Sequence, residues 1–165
     1  MADPHDVNLS ERSYSIWFAE TLVTEVAARV RALHEAGRKV CVLTDENVAA
    51  QQASALAAMF GDEPRWVVAP GEAAKSIASL GGVLESMAER RLDRGAVLFA
   101  VGGGVIGDLG GFAAASYLRG IDYYQVPTTL LAMVDSSVGG KTGINLKAGK
   151  NLAGASHQPR AEYVA

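Results

Sequence analysis

A run of three glycines directly after an apolar stretch most constrains how this chain can fold. Residues 96–101 (AVLFAV) carry no charge and are long enough for a buried parallel strand. Gly102, Gly103 and Gly104 follow, and the mostly small, apolar residues 106–118 predict a helix packed closely on a sheet. The glycines therefore predict a strand-to-helix turn whose bare backbone and unpaired N–H groups suit a phosphate or pyrophosphate. Alone, they are equally consistent with a tight turn that binds nothing.

Composition and charge narrow the class of protein. The chain has 165 residues, of which 49% are hydrophobic and 20% charged, enough for one domain with its own core. A net charge of −3 provides no basic field for nucleic acid, and no apolar stretch is long enough to span a bilayer. The N-terminal residues lack a signal-peptide pattern, and Cys41 has no second cysteine to pair with. We therefore expect a cytoplasmic protein that binds neither nucleic acid nor membrane.

Strand-like and helix-like patterns alternate along the chain. Strand patterns occupy residues 14–18, 39–44, 65–69, 96–101 and 121–126, and helical spacing occupies residues 21–36, 48–60 and 75–90. This alternation predicts an α/β fold, a Rossmann-like parallel sheet with helices on both faces. We expect residues 1–12 to be a mobile tail and residues 13–165 to form one domain. Polar or glycine-rich stretches follow several strands, at the sheet edge where ligands collect.

The chain after Thr128 is predicted to hold a functional loop. Residues 129–134 are apolar and predict a short helix, which Thr128 could cap. Residues 135–151 are polar, glycine-rich and irregular, and a loop of that length in a compact domain is usually functional. Its GGKT segment looks like the end of a triphosphate-binding loop. Asp135 stands where that loop requires glycine, which argues against a nucleotide triphosphatase.

Charged and polar side chains near these turns each allow two interpretations. Lys141 and Lys150 could donate to a phosphate or carboxylate or could simply be solvated, and the polar crowding around them favours binding. Asp108 could complement the dipole of its helix or accept a hydrogen bond from a ligand hydroxyl. Glu72 and Lys75 could form a surface ion pair of little energetic value.

Two further polar groups also have a structural interpretation. Asp45 and Asn47 are explained more simply as caps of the following helix than as ribose ligands. The three histidines, His5, His34 and His157, are scattered and do not predict a metal site.

The chain resembles the 3-dehydroquinate synthase family over residues 39–159. Between Gly102 and Asn151 the matching segments are GGGVIGDLGGF, RGI, VPTTLLA, VDSSVGGKTGIN and GKN, and TDENV and GEAAKS match upstream. The segment VDSSVGGKTGIN is highly specific. The glycine turn alone is shared with glycerol dehydrogenases and iron-dependent alcohol dehydrogenases.

This resemblance implies NAD as cofactor and assigns residues to the cofactor and the substrate. The implied cofactor positions are Asp45, Asn47, Glu72, Lys75, Gly103, Gly104, Val105, Asp108, Thr128, Thr129 and Lys150. The implied substrate, the sugar phosphate 3-deoxy-D-arabino-heptulosonate 7-phosphate, would contact Asp135, Lys141 and Asn151. Arg119 is similar to the arginine that reaches the substrate phosphate of the neighbouring subunit, which implies a homodimer.

The resemblance also implies a lyase reaction of the shikimate pathway that yields 3-dehydroquinate and phosphate. NAD would oxidise a ring hydroxyl and later return the hydride, while zinc or cobalt polarises that hydroxyl. The family's metal ligands belong to a following helical domain, and the chain ends at Ala165 before them, so we expect no metal site and no activity from this chain alone. Ser156 and Met133 replace an aromatic residue and a glutamine common in the family.

Other activities remain open at this stage. One alternative is another sugar phosphate cyclase, and a second is an NAD-dependent polyol dehydrogenase. A third is a module that binds a dinucleotide, or only a partner protein, without catalysis.

Overall fold

A central sheet of mostly parallel strands organises the fold. The computed structural model describes residues 5–7, 14–18, 22–129, 131–136 and 140–164. The strands are β1 (His5–Val7), β2 (Tyr14–Phe18), β3 (Val40–Asp45), β4 (Arg65–Val68), β5 (Val97–Gly102), β6 (Asp122–Pro127), β7 (Lys141–Leu146), β8 (Gly149–Ser156) and β9 (Ala161–Val164). The helices are α1 (Leu22–Glu35), α2 (Glu46–Gln51), α3 (Ala53–Phe60), α4 (Ile77–Glu89) and α5 (Gly104–Ser116). Seven strands form one sheet in the order β1-β2-β9-β6-β5-β3-β4, and only β1 pairs antiparallel within this described sheet.

Helices cover both faces of this sheet, as predicted. On one face, Val42 and Phe99 of the central strands pack against α1 and α3. On the other face, Leu43 and Leu98 pack against α4 and α5. Because side chains alternate along a strand, β3 and β5 each supply apolar residues to both layers. The α/β, Rossmann-like fold is therefore confirmed.

The predicted helix over residues 48–60 is two helices in the structure. The side chain of Asp45 accepts a hydrogen bond from the backbone N–H of Val48 at 2.9 Å, so α2 begins at Glu46. Gln52 leaves helical geometry with φ −117° and ψ 27°, and α3 begins after it. No glycine or proline marks this break in the sequence, which explains why the helical pattern continues through it.

Three residues of the stretch expected to be a mobile tail, His5–Val7, lie in a strand. These residues form β1, which pairs antiparallel with β2. Backbone pairing with a neighbouring strand defines β1, and a polar, acidic sequence gives little sign of it. The rest of the proposed tail lies outside the described residues.

The predicted loop 135–151 is wrong over most of its length, because residues 141–156 form a β-hairpin. β7 and β8 pair antiparallel, with Lys141 opposite Ser156 and Ile144 opposite Ala153. Its glycines allow close packing: a Cβ on Gly154 would clash with the carbonyl oxygen of Thr142. Of the remaining loop residues, 135–136 end a helical turn, Ala132–Ser136, and residues 137–139 lie outside the described part.

The hairpin packs on α5 through small residues. A Cβ on Gly111 would collide with the side chain of Thr142 and lie 3.1 Å from the hydroxyl of Tyr123. Ile144 of β7 is 2% exposed and joins the apolar layer beneath α5. Glycine in α5 therefore lets the hairpin approach the helix that follows the glycine turn. No helix in the described part of the chain has the length and apolar character needed to cross a membrane.

Candidate functional site

The carboxyl ends of four parallel strands meet at one edge of the sheet. The register places Asp45 at the end of β3 beside Val68 of β4, and Gly102 at the end of β5 beside Pro127 of β6. In open α/β sheets this edge is where ligands bind. The turns that the sequence marks as polar or glycine-rich therefore lie next to one another, as predicted.

The glycine turn connects the end of β5 directly to the N-terminus of α5. Gly103 stands at the N-terminus of α5 with φ −77° and ψ −169° and provides no side-chain cap. The backbone N–H of Thr128 donates to the carbonyl of Gly102 at 2.9 Å, which ties the turn to β6. A Cβ on Gly102 would lie 2.7 Å from Cγ1 of Ile106, so glycine is required there by packing. The predicted strand-to-helix turn is confirmed.

Gln125 lies beneath this turn and was not singled out from the sequence. It is 4% exposed, and its Nε2 donates to the hydroxyl of Tyr123 at 3.3 Å. Its amide borders a cavity of about 10 Å³ that Gly103, Gly107 and Ala132 also line. That volume is close to the smallest that holds one water. A glutamine among the buried residues of this strand was the available signal.

Lys75 is a buried lysine at the centre of a polar cluster beside the turn, and the other members of the cluster are partly or fully exposed. Its side chain is 4% exposed, and Nζ donates to Oδ2 of Asp108 at 2.8 Å and to Oδ1 of Asn151 at 2.5 Å. Glu72 Oε1 lies 3.6 Å from the same nitrogen, on a side chain that is 47% exposed. The interpretation of Glu72 and Lys75 as a surface ion pair is therefore wrong for Lys75. Asp108 pairs with this buried ammonium group.

The two carboxyl groups of the cluster have opposite pKa shifts. Burial raises the pKa of Asp108, and the hydrogen bond and charge of Lys75 oppose that rise. The hydrogen bond from Asn145 lowers the pKa of Glu72, with further lowering by the charges of Lys75 and Lys150. Lys150 is itself exposed, so its ammonium group is available at the rim of this cluster.

Asn145 is a second residue that sequence reasoning missed. Its Nδ2 donates to Oε1 of Glu72 at 2.9 Å, and its Oδ1 accepts from the backbone N–H of Asn151 at 2.9 Å. The sequence offered only its position inside a specific segment as a signal. Asn145 links the turn 71–76 to the hairpin.

The remaining implied cofactor residues border the same edge. Asp45 caps α2, which confirms its structural interpretation, and Asn47 is exposed one residue further into that helix. Thr128 and Thr129 are both exposed after β6. The hydroxyl of Thr129 accepts a hydrogen bond from the backbone N–H of Ala132 at 3.2 Å, so Thr129, rather than Thr128, caps the following turn.

The implied substrate residues are only partly brought together. Asn151 joins the Lys75 cluster, and Lys141 is exposed at the start of β7. Asp135 lies in the turn Ala132–Ser136, and its side chain is outside what the structure describes. Arg119 is exposed just before β6, whose first residue pairs with the first residue of β5. Arg119 is therefore at the opposite edge of the sheet from the glycine turn.

The described residues provide no ready-made metal centre. No three His, Cys, Asp or Glu side chains among them cluster closely enough to hold a metal ion. His157, the histidine nearest the hairpin in sequence, instead makes a 2.8 Å hydrogen bond between Nε2 and the carbonyl of Ile121.

Comparison with known proteins gives a consistent family match. Residues 65–165 match the family described as 3-dehydroquinate synthase N-terminal. A 3-dehydroquinate synthase from Opitutus terrae is 62% identical over 158 residues, which cover 96% of this chain and 44% of that protein. A 3-dehydroquinate synthase from Pseudomonas aeruginosa is 50% identical over 160 residues, covering 96% of this chain and 43% of that protein. The chain thus spans less than half the length of these relatives.

Solved structures show the same fold. A 2-deoxy-scyllo-inosose synthase complexed with carbaglucose-6-phosphate, NAD⁺ and Co²⁺ matches with a TM-score of 0.84 at 26% identity, over 98% of this chain and 44% of that one. A 2-epi-5-epi-valiolone synthase from Streptomyces hygroscopicus, with NAD⁺ and Zn²⁺ bound, matches with a TM-score of 0.81 at 30% identity, over 96% of this chain and 44% of that one.

Proposed function

Because this chain belongs to the 3-dehydroquinate synthase N-terminal family, we propose that it binds NAD at the glycine turn and forms the cofactor-binding part of a 3-dehydroquinate synthase. The observation that carries the proposal is the N-terminus of α5, which has no side-chain cap, beside the polar cluster around the buried Lys75. The turn suits a diphosphate, and the cluster supplies polar groups for the rest of the ligands.

The backbone of the turn supports this proposal. Gly103 leaves the first N–H groups of α5 without a side-chain cap and has no Cβ of its own, which are the features that a diphosphate uses at a helix N-terminus. We propose that Gly103, Gly104 and Val105 hold the diphosphate. Asp45, Asn47, Thr128 and Thr129 would hold the remaining parts of NAD at the same edge. NAD, when bound, supplies hydride acceptance and return.

The Lys75 cluster is proposed to join the cofactor and substrate parts of the site. Its ammonium group holds Asp108, which follows the glycine turn, and Asn151, which lies on the hairpin. With this ammonium group fixed by two oxygen acceptors, both side chains are held in one orientation. Lys141 and Lys150 are exposed on the hairpin, and we propose that Lys141 adds positive charge for the anionic sugar phosphate and Lys150 for the dinucleotide.

The substrate assignment follows sequence identity among related cyclases. Relatives named 3-dehydroquinate synthase are 50% and 62% identical, whereas the matched inosose and valiolone synthases are 26% and 30% identical. We therefore propose 3-deoxy-D-arabino-heptulosonate 7-phosphate as substrate, in the shikimate pathway. Asp135 is proposed as a third substrate residue, and Arg119, at the far edge of the sheet, as a contact to a partner subunit in a homodimer.

Calorimetric titration of this chain with NAD tests the proposal. A Gly103→Ala variant keeps an allowed φ but places a Cβ 3.3 Å from Cγ2 of Thr129, at the face that would meet the diphosphate. We expect NAD affinity to fall at least about tenfold, which corresponds to about 1.4 kcal/mol. Gly82→Ala is the matched control, because a Cβ there meets nothing within 4 Å.

The outcomes separate binding from substrate choice. Absence of heat with millimolar NAD in the unmodified chain would refute the dinucleotide proposal, as would equal affinities for the two glycine variants. With NAD saturating, titration of 3-deoxy-D-arabino-heptulosonate 7-phosphate against sedoheptulose 7-phosphate and glucose 6-phosphate compares the substrate classes. Tighter binding of either other sugar phosphate would favour a different cyclase.

A further inference from the structure

Asn145 makes three hydrogen bonds to two segments that the proposed site depends on, the turn 71–76 and β8. Its side-chain amide donates to Glu72 and accepts from the backbone N–H of Asn151, each at 2.9 Å. Its backbone N–H donates to the carbonyl of Lys75, also at 2.9 Å. Glu72 and Lys75 are distant from β7 in sequence, and Asn151 lies across the hairpin turn from it. Asn145 therefore contacts both halves of the cluster.

These contacts close a ring that includes the buried ammonium group. Lys75 receives the backbone N–H of Asn145 at its carbonyl, Asn145 receives the N–H of Asn151, and Asn151 receives Nζ of Lys75. A closed ring fixes each member through two others, so displacing one changes the position of all three. The ring connects the turn that carries Glu72 to the hairpin.

The backbone around the ring departs from regular strand geometry. The β7–β8 register shifts between Ile144 and Leu146, so the irregularity falls at Asn145. Asn151 has a φ of +55°, a left-handed conformation that residues other than glycine seldom adopt. The bond from the Asn151 N–H to Asn145 holds this conformation. Such local strain persists where the surrounding contacts determine it.

An amide is the side chain that meets both demands at this position. The Glu72 carboxylate accepts a hydrogen bond from this side chain, and the Asn151 N–H donates one to it, each at 2.9 Å. One side chain must therefore carry both a donor and an acceptor, as an amide does. Aspartate would keep the acceptor but place a second carboxylate against Glu72. Alanine would remove both contacts.

We propose that Asn145 is the positioning residue that sets the Glu72 side chain and the Asn151 backbone relative to one another, and so couples the dinucleotide contacts to the sugar phosphate contacts. This inference rests on the proposed function for the identity of the two ligands. Asn145 acts through its neighbours and needs no contact with either ligand.

Two variants separate the donor and acceptor roles of Asn145. Asn145→Asp keeps an oxygen for the Asn151 N–H and loses the donor to Glu72, whereas Asn145→Ala loses both. Gln51→Glu, at an exposed position of α2, is the control for the added charge. Carboxyl NMR titration reports Glu72, and amide hydrogen exchange reports Asn151.

We expect both Asn145 variants to raise the pKa of Glu72, because the Asn145 hydrogen bond is the largest cause of its lowering. The charges that face Glu72, on Lys75, Lys150 and Asp108, remain in both variants. Amide exchange at Asn151 should accelerate at least tenfold in Asn145→Ala and stay near its original rate in Asn145→Asp. The Gln51→Glu control should change neither quantity.

Ligand titration then tests the coupling. In the unmodified chain, bound NAD is expected to tighten 3-deoxy-D-arabino-heptulosonate 7-phosphate, and Asn145→Ala should reduce that tightening at least fivefold. Unchanged Glu72 titration and unchanged Asn151 exchange in both variants would overturn the positioning role, whatever the chain binds. Altered geometry with undiminished coupling would overturn its functional part. If the unmodified chain binds no NAD, the proposed function fails, while the two NMR readouts still decide the positioning role.

Discussion

Replacing Lys75 by methionine removes the ammonium group at the centre of the polar cluster and keeps most of the apolar stem. The Lys75 side chain is 4% exposed and that of Asp108 is 24% exposed, so the variant leaves a largely buried carboxylate without its cation. Removing one member of a buried pair costs about 3–5 kcal/mol. Because a quarter of Asp108 remains accessible to water, we expect a loss of about 2–3 kcal/mol in the free energy of unfolding at neutral pH.

The pH dependence of this loss identifies its cause. Burial raises the pKa of Asp108, and Lys75 opposes that rise. Without Lys75 the folded-state pKa rises further above the unfolded value, so the folded variant binds a proton where the unfolded chain does not. Stability then increases as pH falls through the folded-state pKa, and is lost as pH rises through it. The cost of Lys75→Met should therefore shrink between neutral pH and about pH 4.

Urea denaturation followed by circular dichroism measures both effects, with the slope m checked for constancy between variants. Asp108→Asn supplies the matched background, since an uncharged amide there removes the unpaired charge. Lys75→Met should cost at least about 1 kcal/mol less in that background than in the original chain. A cost below about 0.5 kcal/mol at neutral pH, or one that is equal at both pH values, would refute the reasoning.

Two further predictions concern the packing around the site. Gly110→Ala places a Cβ 2.8 Å from that of Ala100, so urea denaturation should show a loss of about 1–3 kcal/mol in the free energy of unfolding. Gly82→Ala, with open space around it, should instead increase that free energy by about 0.5–1 kcal/mol. A reversal of these signs would contradict the packing. The Cys41 thiol is 0% exposed, and burial raises its pKa. A thiol reagent such as 5,5′-dithiobis(2-nitrobenzoic acid) should therefore react with it only after denaturant is added. Rapid reaction of the folded chain would count against this burial.

Patterns that are local in the sequence predicted the sheet and its helices well. The strand predicted at residues 96–101 is β5 (Val97–Gly102), and the glycine that ends it stands where a side chain would clash with Ile106. Apolar continuity and helical spacing decide such elements, because burial on both faces of a parallel sheet needs no detailed knowledge of the partners. The alternation of strand and helix patterns also predicted that the turns at the strand ends lie next to one another.

Elements that depend on pairing partners were not predictable in this way. β1 is a short strand defined by β2, and the hairpin β7–β8 has the composition of a loop, since its glycines serve close backbone contact. The resemblance of particular segments to a known family predicted that Asn151 and Lys75 belong to a ligand site. The spacing of the residues alone left this open. Neither source indicated Gln125 or Asn145.

What the sequence by itself determined is the layered α/β fold and the edge of the sheet where ligands would bind. Only the tertiary structure decided that Lys75 is buried between Asp108 and Asn151, and that Asn145 closes the ring around them. The physical reason is the separation along the sequence over which each effect acts. Hydrophobic periodicity acts over neighbouring residues, whereas these hydrogen bonds join side chains 33 and 76 residues apart and exist only after the sheet and hairpin have packed.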